Sequence, residues 1–516
     1  MPKHPSRILI PAFIAVACAW TSARAAERFG FSNVAAKARD LAGKPYAPPP
    51  KIPAALANLD YEQYQQIRFR PDQSLWRKSN ARFQVMLIAP GEYFTHTVKI
   101  HVVDAAGVHP LAFNKNLFTW PDGKLKSTVP DNLGYAGFKL TYPINKPGVQ
   151  DQFLVFAGAS YFRGVARGEN FGLSARGIAV DTGLPGGEQF PSFTRFWLVR
   201  PSPDAHVLKF YALLNGKSLT GAYRFVVFPG KPTRIEVHAR LFLRKPVDLL
   251  GLAPLTSMFY YGANTPRPTD EWRPAVHDSQ GLLIHSGTGE WLWRPLINPL
   301  TLQMDYFQTQ SPQGFGLIQR TTRFNAYEDD GARYDNRPSA WVQPHADWGK
   351  GHVVLVEIPT DSETNDNIVA FWSPDRKTTA GQTINLDYTL DFGGPSISSE
   401  RMARAMETYV GKPKNPPKGS ATQSVYRIIA DFAGGPLDRL GPDAKVGAVI
   451  TGIDGTQILE QSVRWVQPSH RWRLSVLAAP ATGKPMALRA FLKAGSKTLS
   501  ETWTYSLPPK NRFGGS

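Results

Sequence analysis

Most of this chain alternates apolar and polar residues, or gathers β-branched residues in short runs, and both patterns predict β-strands. Glycine and proline, with 44 residues each, interrupt these runs at short intervals, as the turns of a β-sandwich require. The clearest runs before residue 393 lie at residues 83–88, 96–103, 224–228, 233–242, 352–358 and 382–392. The pattern therefore predicts a large, mainly β domain in the first part of the chain.

Helical periodicity is confined to short segments near the start of this domain. Ser32 or Asn33 is the expected N-cap of a first helix, and Gly43 is its expected end. The apolar residues that share one face of this helix are Val34, Ala35, Ala38 and Leu41. A second, shorter helix is predicted around residues 60–67, after a proline-rich stretch.

The composition changes near Gly393, where a helical pattern at residues 399–409 precedes a polar, proline-rich stretch at 411–419. Beyond it, short apolar runs return at residues 424–432, 445–453, 471–478, 487–494 and 498–506. A unit of this length and strand number fits an immunoglobulin-like β-sandwich. The predicted division is a signal peptide at 1–25, a β-sandwich domain at 26–393, a helical and proline-rich linker at 394–421, and an immunoglobulin-like domain at 422–516.

The first residues have the order of a cleavable secretory signal. Lys3 and Arg7 precede an apolar run at residues 8–20, and the small residues around Ala25 form a cleavage site. This run is shorter than the roughly 20 apolar residues that span a bilayer. It lacks the paired arginines of a twin-arginine leader, which favours the Sec route. A lipoprotein signal ending at Cys18 is the alternative, but the small-residue cleavage site lies downstream.

The remaining composition removes several classes of function. Cys18 is the only cysteine, so disulfides, thiol nucleophiles and cysteine-bound metals are not expected in the mature chain. The net charge of +18 is spread along the sequence and accompanies no DNA-binding motif, so nucleic acid is not an expected partner. Neither a nucleotide-binding loop nor a metal-ligand motif is present, and no cofactor is expected.

Carboxylates and tryptophans are concentrated in the middle third of the chain, among turn residues. Trp291 and Trp293, two positions apart in a predicted strand, point to the same face. They would form a platform for sugar rings if exposed, and two core tryptophans are the alternative. Cleavage of a glycosidic bond needs one carboxyl that donates a proton and one that accepts a proton from water. The residues alone indicate a carbohydrate-active protein and leave the choice of carboxylates open.

Longer motifs make the sequence recognisable. They are Tyr161-Phe-Arg163, Gly172 to Gly177, Pro254-Leu-Thr-Ser-Met-Phe259, His277-Asp-Ser279, Gly289-Glu-Trp-Leu-Trp-Arg-Pro295, Pro312-Gln-Gly-Phe-Gly-Leu317, Arg337-Pro-Ser-Ala-Trp341, Glu357 to Val369 and Ser500-Glu-Thr-Trp503. In these motifs the chain closely resembles the glucan biosynthesis protein G/D family (OpgG/MdoG and OpgD), which acts in making osmoregulated periplasmic glucans in bacteria. The absent twin-arginine leader makes it more similar to the G proteins.

The resemblance implies a large, galactose-mutarotase-like β-sandwich joined to an immunoglobulin-like one, in the periplasm. It implies a β-1,2-linked glucan as substrate and an anomer-inverting endo-β-1,2-glucanase activity. Matched by motif, Asp366 would be the general acid and Asp278 the general base, with His277, Ser279 or Glu363 relaying the proton. The acid should then have a raised pKa and the base a lower one.

We assign five further residues to substrate binding: Trp291, Trp293, Trp341, Arg176 and Glu363. The resemblance adds the inner-membrane glucosyltransferase of the pathway as an expected partner, and a homodimer is left open. Two other functions also remain open. The same carboxylates would serve a transglycosylase that forms cyclic glucan, and a non-catalytic scaffold would bind glucan without needing Asp366.

Overall fold

The structure is a computed structural model that describes residues 29–414 and 425–514. The predicted signal peptide and residues 415–419 of the proline-rich stretch lie outside the described residues. The described chain is mainly β, and its strands form sandwiches rather than a barrel, as the alternating pattern predicts. None of its helices within these ranges is long and apolar enough to cross a membrane.

The described residues contain four α-helices: α1 (Phe31–Ala42), α2 (Ala54–Ala57), α3 (Tyr61–Gln65) and α4 (Gly123–Thr128). Both predicted helices, α1 and α3, are present. The predicted N-cap of α1 is wrong, because the helix begins at Phe31 and its N-cap is Gly30. Asn33 instead lies in the first turn, where its Oδ1 accepts a hydrogen bond of 2.7 Å from the Gly30 N–H. The predicted apolar face of α1 packs on the large sheet beside Trp197.

Strands account for most of the regular structure. Those that precede residue 250 are β1 (Arg68–Phe69), β2 (Gln84–Ile88), β3 (Lys99–Asp104), β4 (Gly107–Pro110), β5 (Phe118–Thr119), β6 (Gly137–Tyr142), β7 (Asp151–Ala157), β8 (Tyr161–Gly164), β9 (Ser174–Arg176), β10 (Ala179–Val180), β11 (Ser192–Val199), β12 (Leu208–Asn215), β13 (Leu219–Phe228) and β14 (Thr233–Leu243).

The strands from residue 250 onward are β15 (Leu250–Ser257), β16 (Phe259–Tyr261), β17 (Val276–His277), β18 (Gly281–His285), β19 (Trp291–Pro295), β20 (Gln303–Gln310), β21 (Gly314–Ile318), β22 (Ser339–Pro344), β23 (Lys350–Glu357), β24 (Ile368–Pro374), β25 (Thr383–Gly393), β26 (Arg404–Gly411), β27 (Tyr426–Ala433), β28 (Gly447–Ile453), β29 (Gln457–Val466), β30 (Arg471–Ala479), β31 (Met486–Ala494), β32 (Lys497–Thr498) and β33 (Thr502–Leu507).

Two large sheets form the main sandwich. The first has ten strands in the order β2-β6-β7-β8-β9-β15-β24-β23-β20, with β10 beside β15, and the second has fifteen. Phe138 and Phe156 from the ten-stranded sheet meet Phe210 and Phe225 from the other, with ring centroids 5.1 to 5.7 Å apart. Such aromatic pairs add to the burial of apolar area that holds the two sheets together.

The C-terminal strands form a smaller sandwich. One of its layers is the four-stranded sheet β26-β27-β30-β29, and the other contains β28, β31 and β33. The second layer is continuous with the fifteen-stranded sheet, because β33 pairs in parallel with β19 through Leu292↔Thr502 and Trp293↔Trp503. A core of its own lies between the layers and includes Trp472 and Trp503. The two predicted sandwiches therefore share one sheet.

The helix predicted at residues 399–409 is wrong, because this segment contains strand β26. Ala403 and Ala405 are buried at alternate positions, and the strand pairs along its length with β27. Pairing with a long partner strand outweighs the helical propensity of Ala, Met and Glu in this stretch. Part of the predicted linker is thus a strand of the C-terminal sandwich.

Candidate functional site

Asp278 follows the short strand β17 and is fixed by contacts on both sides. Its backbone N–H donates to the Met258 carbonyl at 2.9 Å, and the next residue, Ser279, accepts a hydrogen bond of 2.8 Å from the hydroxyl of Ser257. The Asp278 residue is only 4% exposed, and its carboxylate forms an ion pair with Arg337. Because this carboxylate is buried and paired with a cation, it is not a solvated side chain of a turn.

Arg337 is itself held in one orientation. Its Nε and Nη2 donate to the Ala332 carbonyl at 3.1 and 3.0 Å, and its guanidinium carbon lies 4.3 Å from the ring centroid of Tyr334. A Cβ at Gly172 would lie 3.0 Å from the Arg337 Cβ, so glycine gives the arginine stem its space. The remaining nitrogen, Nη1, is thereby directed to Asp278.

Burial raises the pKa of Asp278 above its usual range, and the nearby negative charge of Asp366 raises it further. The cation of Arg337 opposes both effects. The sequence predicts the lower of the two pKa values for Asp278, but burial raises the pKa of this carboxyl. The sequence shows the two aspartates but not how deeply Asp278 is buried. Burial has a larger effect on the pKa of Asp278 than the charge of Arg337 has.

Asp366 lies on the loop between β23 and β24 and is more exposed, with 29% of its side chain accessible. Its Oδ2 lies 3.2 Å from Nη2 of Arg163, a residue of β8. The Nε of Arg163 donates to the Ser174 hydroxyl at 2.7 Å, which fixes the guanidinium on the neighbouring strand β9. Each of the two aspartates thus has its own arginine, and one is open to solvent while the other is buried.

Asn367 anchors the loop beside Asp366. Its Oδ1 accepts from the Phe259 N–H at 2.8 Å, and its Nδ2 donates to the carbonyls of Phe259 and Ile358 at 3.1 and 2.9 Å. These hydrogen bonds satisfy buried backbone groups and hold the backbone next to Asp366 in place.

We expect Asn367→Ala to lower the free energy of unfolding by about 1 to 3 kcal/mol, because it leaves buried backbone groups of Phe259 without a partner. Asn365→Ala is the matched control. That side chain is exposed on the same loop, so its loss should cost no more than about 0.5 kcal/mol. Urea unfolding of both variants measures the difference, and equal stabilities would contradict the anchoring role.

Glu363 belongs to a network that connects this loop with Arg337. Its carboxylate accepts from Nη1 of Arg273 at 2.7 Å and from the Tyr334 hydroxyl at 2.5 Å. Arg273 Nη1 also lies 2.8 Å from Asp329, which ties a second loop to the first. Because the Tyr334 ring packs on Arg337, the structure connects Glu363 to the surroundings of Asp278.

The other two relay candidates each have a polar atom engaged elsewhere. His277 Nδ1 lies 2.9 Å from Oε1 of Gln319, whose Nε2 donates to the carbonyls of His277 and Tyr334. Burial lowers the pKa of His277 to about 4, so the ring is neutral at neutral pH. The Ser279 hydroxyl pairs with Ser257. Of the three candidates, only Glu363 has a side chain that is partly exposed, with 36% of it accessible to solvent.

The predicted tryptophan platform is wrong. Trp293 is 1% exposed and Trp341 is 5% exposed, and both belong to the core shared with the C-terminal sandwich. Trp291 is half-buried and stacks on Trp341, with ring centroids 5.7 Å apart. The indoles of Trp293 and Trp341 lie flat over Gly281 and Gly314 of adjacent strands, where any side chain would collide. Trp293 and Trp341 therefore join the two sandwiches and present no open face for a sugar.

Arg176 is also buried, but it lies near the site. Its Nε donates to Thr256 at 2.7 Å and its Nη1 lies 2.5 Å from Glu188, so its guanidinium already has protein partners. Its carbon Cζ lies 4.7 Å from the Tyr161 ring centroid. Burial is the main cause that raises the pKa of the Tyr161 hydroxyl, and the charge of Asp366 raises it further. Arg176 therefore supports the Tyr161 ring beside Asp366 and does not face open solvent.

The arginines of the site were not predicted from the sequence. Arg163, Arg337 and Arg273 hold its carboxylates, and none of them was singled out. Arg163 and Arg337 do occur in the motifs that carry the family resemblance, which is the signal that could have found them. Within residues 29–414 and 425–514, no group of three or more His, Cys, Asp and Glu side chains is placed to hold a metal ion.

Comparison with known proteins identifies the family. A family model described as "Periplasmic glucan biosynthesis protein, MdoG" matches residues 29–507. The chain belongs to this family. Relatives named "Glucans biosynthesis protein G" are 45% identical over 501 residues in Ralstonia nicotianae and 44% identical over 486 residues in Sodalis glossinidius. The alignments cover 95% and 93% of this chain, and 98% and 93% of those relatives.

A third relative of the same name, from Pseudomonas aeruginosa, is 42% identical over 490 residues, with 93% of both chains covered. The resemblance to the G proteins of periplasmic glucan biosynthesis is therefore confirmed over nearly the whole chain. The match includes the segments that carry Asp278, Asp366 and their two arginines. Membership of the MdoG family places the chain in glucan biosynthesis, and the chemistry of the site is a separate question.

Proposed function

We propose that this member of the MdoG family cleaves the β-1,2-linked glucose backbone of periplasmic glucans as an anomer-inverting endo-β-1,2-glucanase. The observation that carries the proposal is the pair of aspartates with unequal exposure, Asp366 partly open to solvent and Asp278 buried, each with its own arginine. The family description supports glucan as the class of substrate.

Asp366 is the general acid in this proposal. Its side chain is partly open to solvent, so the oxygen of a glycosidic bond can approach it directly. When it gives up its proton to that oxygen it becomes a carboxylate, and the guanidinium of Arg163 at 3.2 Å is in place to stabilise the new charge. Arg163 is held by Ser174 before the reaction, so little reorganisation is needed at that moment.

Asp278 is the general base in this proposal. An inverting reaction needs a water molecule on the opposite face of the sugar ring, and its proton must end on the base. Because Asp278 is nearly inaccessible, the proton reaches it through an intermediate group rather than by direct contact with the attacking water. We assign Glu363 to this relay: its partly exposed carboxylate, held by Tyr334, takes the proton from the attacking water, and further water molecules carry a proton to Asp278.

The charges balance over one turnover. The C–O bond to the leaving glucosyl unit breaks as Asp366 protonates that oxygen, and a bond forms between the anomeric carbon and water. The proton lost by water ends on Asp278, so the acid is ionised and the base is protonated after cleavage. Exchange with solvent restores both groups before the next cycle.

Incubation of the purified protein with linear β-1,2-glucan tests the proposal against its alternatives. Hydrolysis produces shorter linear chains and a growing number of reducing ends, both visible by chromatography and a reducing-sugar assay. Cyclic products without new reducing ends would identify a transglycosylase. Chains that stay unchanged at high protein concentration would identify a scaffold and would overturn the proposed cleavage.

The acidic limb of the pH–rate profile should follow Asp278, which must be ionised to act as the base. Burial raises its pKa, so activity should fall at a pH above the usual Asp value of about 3.9. Arg337→Met removes the cation that lowers this pKa, so the limb should move to higher pH, and Arg337→Lys should restore part of the shift.

Measurement of kcat/KM across acidic and neutral pH tests this shift. Arg333→Met is the matched control, because Arg333 pairs with Asp335 instead of with Asp278. Its limb should stay where the wild-type limb lies. A limb that does not move in Arg337→Met, or that moves to lower pH, would show that Asp278 is not the group that sets it.

A further inference from the structure

A pocket of about 190 Å³ lies where the large sandwich meets strand β26, and His277 is among the residues that line it. At about 30 Å³ for each water molecule, this space holds about six waters. His277, Asn264 and Tyr327 line it from the large sandwich, and Glu407 and Tyr409 line it from β26. Tyr409 is 39% exposed, so the pocket has access to solvent on that side.

His277 presents a hydrogen-bond acceptor to this pocket. Gln319 Nε2 donates to two carbonyls, which makes its Oε1 the atom that faces His277 Nδ1. The neutral imidazole therefore carries its proton on Nδ1, and Nε2 keeps a free lone pair. Among the described residues, Nε2 has no hydrogen-bond partner, and it is not sealed away from solvent.

Two more acceptors line the same space. Asn264 Nδ2 donates to the Leu296 carbonyl at 2.8 Å, which leaves Oδ1 without a partner in the described part of the chain. The Glu407 carboxylate accepts from Thr321 at 2.6 Å and from Gln280 at 3.2 Å. These bonds hold its two oxygens in place and leave them with spare lone pairs.

Aromatic rings form part of the wall between these acceptors. The ring of Phe259 stacks on His277 with centroids 5.3 Å apart, and the Tyr327 ring meets the imidazole edge at 5.2 Å. Arg323, also among the lining residues, is exposed at the rim. Its charge disfavours a cationic ligand, and the charge of Glu407 disfavours an anionic one.

We propose that this pocket binds a neutral, hydroxyl-rich ligand the size of one sugar ring. The hydroxyl groups of a pyranose can donate to His277, Asn264 and Glu407, and its C–H faces can pack on the aromatic walls. Free glucose and the terminal ring of a glucan chain have this chemistry in common. Neither Asp366 nor Asp278 lines this pocket, so the proposed site does not depend on the proposed cleavage.

Titration calorimetry with glucose and with the β-1,2-linked disaccharide tests this site. The wild-type protein should bind glucose saturably with one site per chain, and tighter binding of the disaccharide would point to a chain end as the occupant. Glu407→Gln should weaken binding about tenfold or more, because a charged acceptor becomes neutral. Ala326→Trp should abolish binding by filling the space from its wall.

Asp278→Asn is the matched control, because Asp278 does not line the pocket. This variant should bind glucose as the wild type does. Thermal unfolding confirms that each variant is folded. The proposal is overturned if glucose and the disaccharide show no saturable binding to the wild type, or if folded Glu407→Gln and Ala326→Trp bind them as well as the wild type. Binding of tetramethylammonium in preference to glucose would also overturn it.

Discussion

Asp366→Asn should reduce cleavage of linear β-1,2-glucan by about 10² to 10⁴-fold, because an amide cannot deliver a proton to the leaving glucosyl oxygen. Asparagine has nearly the same shape, and the loop is anchored by Asn367 rather than by Asp366. Folding and glucan affinity should therefore change little. Chromatography of the products and calorimetry with glucan on the same preparations measure both quantities.

Asp361→Asn is the matched control for this variant. Asp361 lies on the same loop, but its side chain is 93% exposed and contacts only the guanidinium of Arg512. The control should keep nearly full activity. If Asp366→Asn retains more than about a tenth of wild-type turnover, Asp366 is not the acid, and Glu363 becomes the next carboxyl to test.

Arg320→Met should lower the free energy of unfolding by about 3 to 5 kcal/mol, the cost typical of breaking a buried ion pair. Arg320 is fully buried between the two sandwiches, where its Nη1 and Nη2 lie 2.5 and 2.7 Å from Glu501. Its guanidinium carbon lies 3.6 Å from the ring centroid of Trp293. The substitution leaves Glu501 buried without its cation, at the place where the shared sheet joins the two sandwiches.

A second carboxyl, Glu400, has its Oε2 3.6 Å from Arg320 Nη2. Burial raises the pKa of Glu400, and the charge of Glu501 raises it further. Arg404 is a second cation of this cluster, with its Nε 3.5 Å from Oε2 of Glu400. Arg320→Met removes the cation that contacts Glu501 directly, and the double variant Arg320→Met/Glu501→Gln should recover part of the lost stability.

Arg427→Met is the control, because Arg427 pairs with Glu460 on the surface of the C-terminal sandwich, where 56% of the Glu460 side chain is exposed. An exposed pair contributes about 0 to 1 kcal/mol, so this variant should be nearly as stable as the wild type. Urea unfolding of the variants gives the comparison. Equal losses for Arg320→Met and Arg427→Met would contradict a structural role for the buried cluster.

The position of the aspartates relative to one another depends on contacts between distant segments. Asp278 and Asp366 lie far apart in the sequence, and each pairs with an arginine from yet another segment. The resemblance matched both aspartates by motif, but a sequence contains no measure of burial. The base was therefore expected to have the lower pKa of the two, whereas burial raises the pKa of Asp278.

The tryptophan prediction shows the same limit from another side. The alternation rule correctly placed Trp291 and Trp293 on one face of a strand, which is a local property of the backbone. Whether that face meets solvent depends on what covers it. Strand β33 pairs beside β19 and the C-terminal core closes over the indoles, so the alternative of core tryptophans is correct for Trp293.

The sequence by itself determined the family, the mainly β architecture and the positions of the most clearly patterned strands, because family motifs are contiguous and strand periodicity is a property of neighbouring residues. Only the tertiary structure decided that residues 404–411 form a strand, that one sheet runs through both sandwiches, and which charges are buried. These features arise from pairing and packing between segments that are distant in the chain, and local pattern holds no record of such contacts.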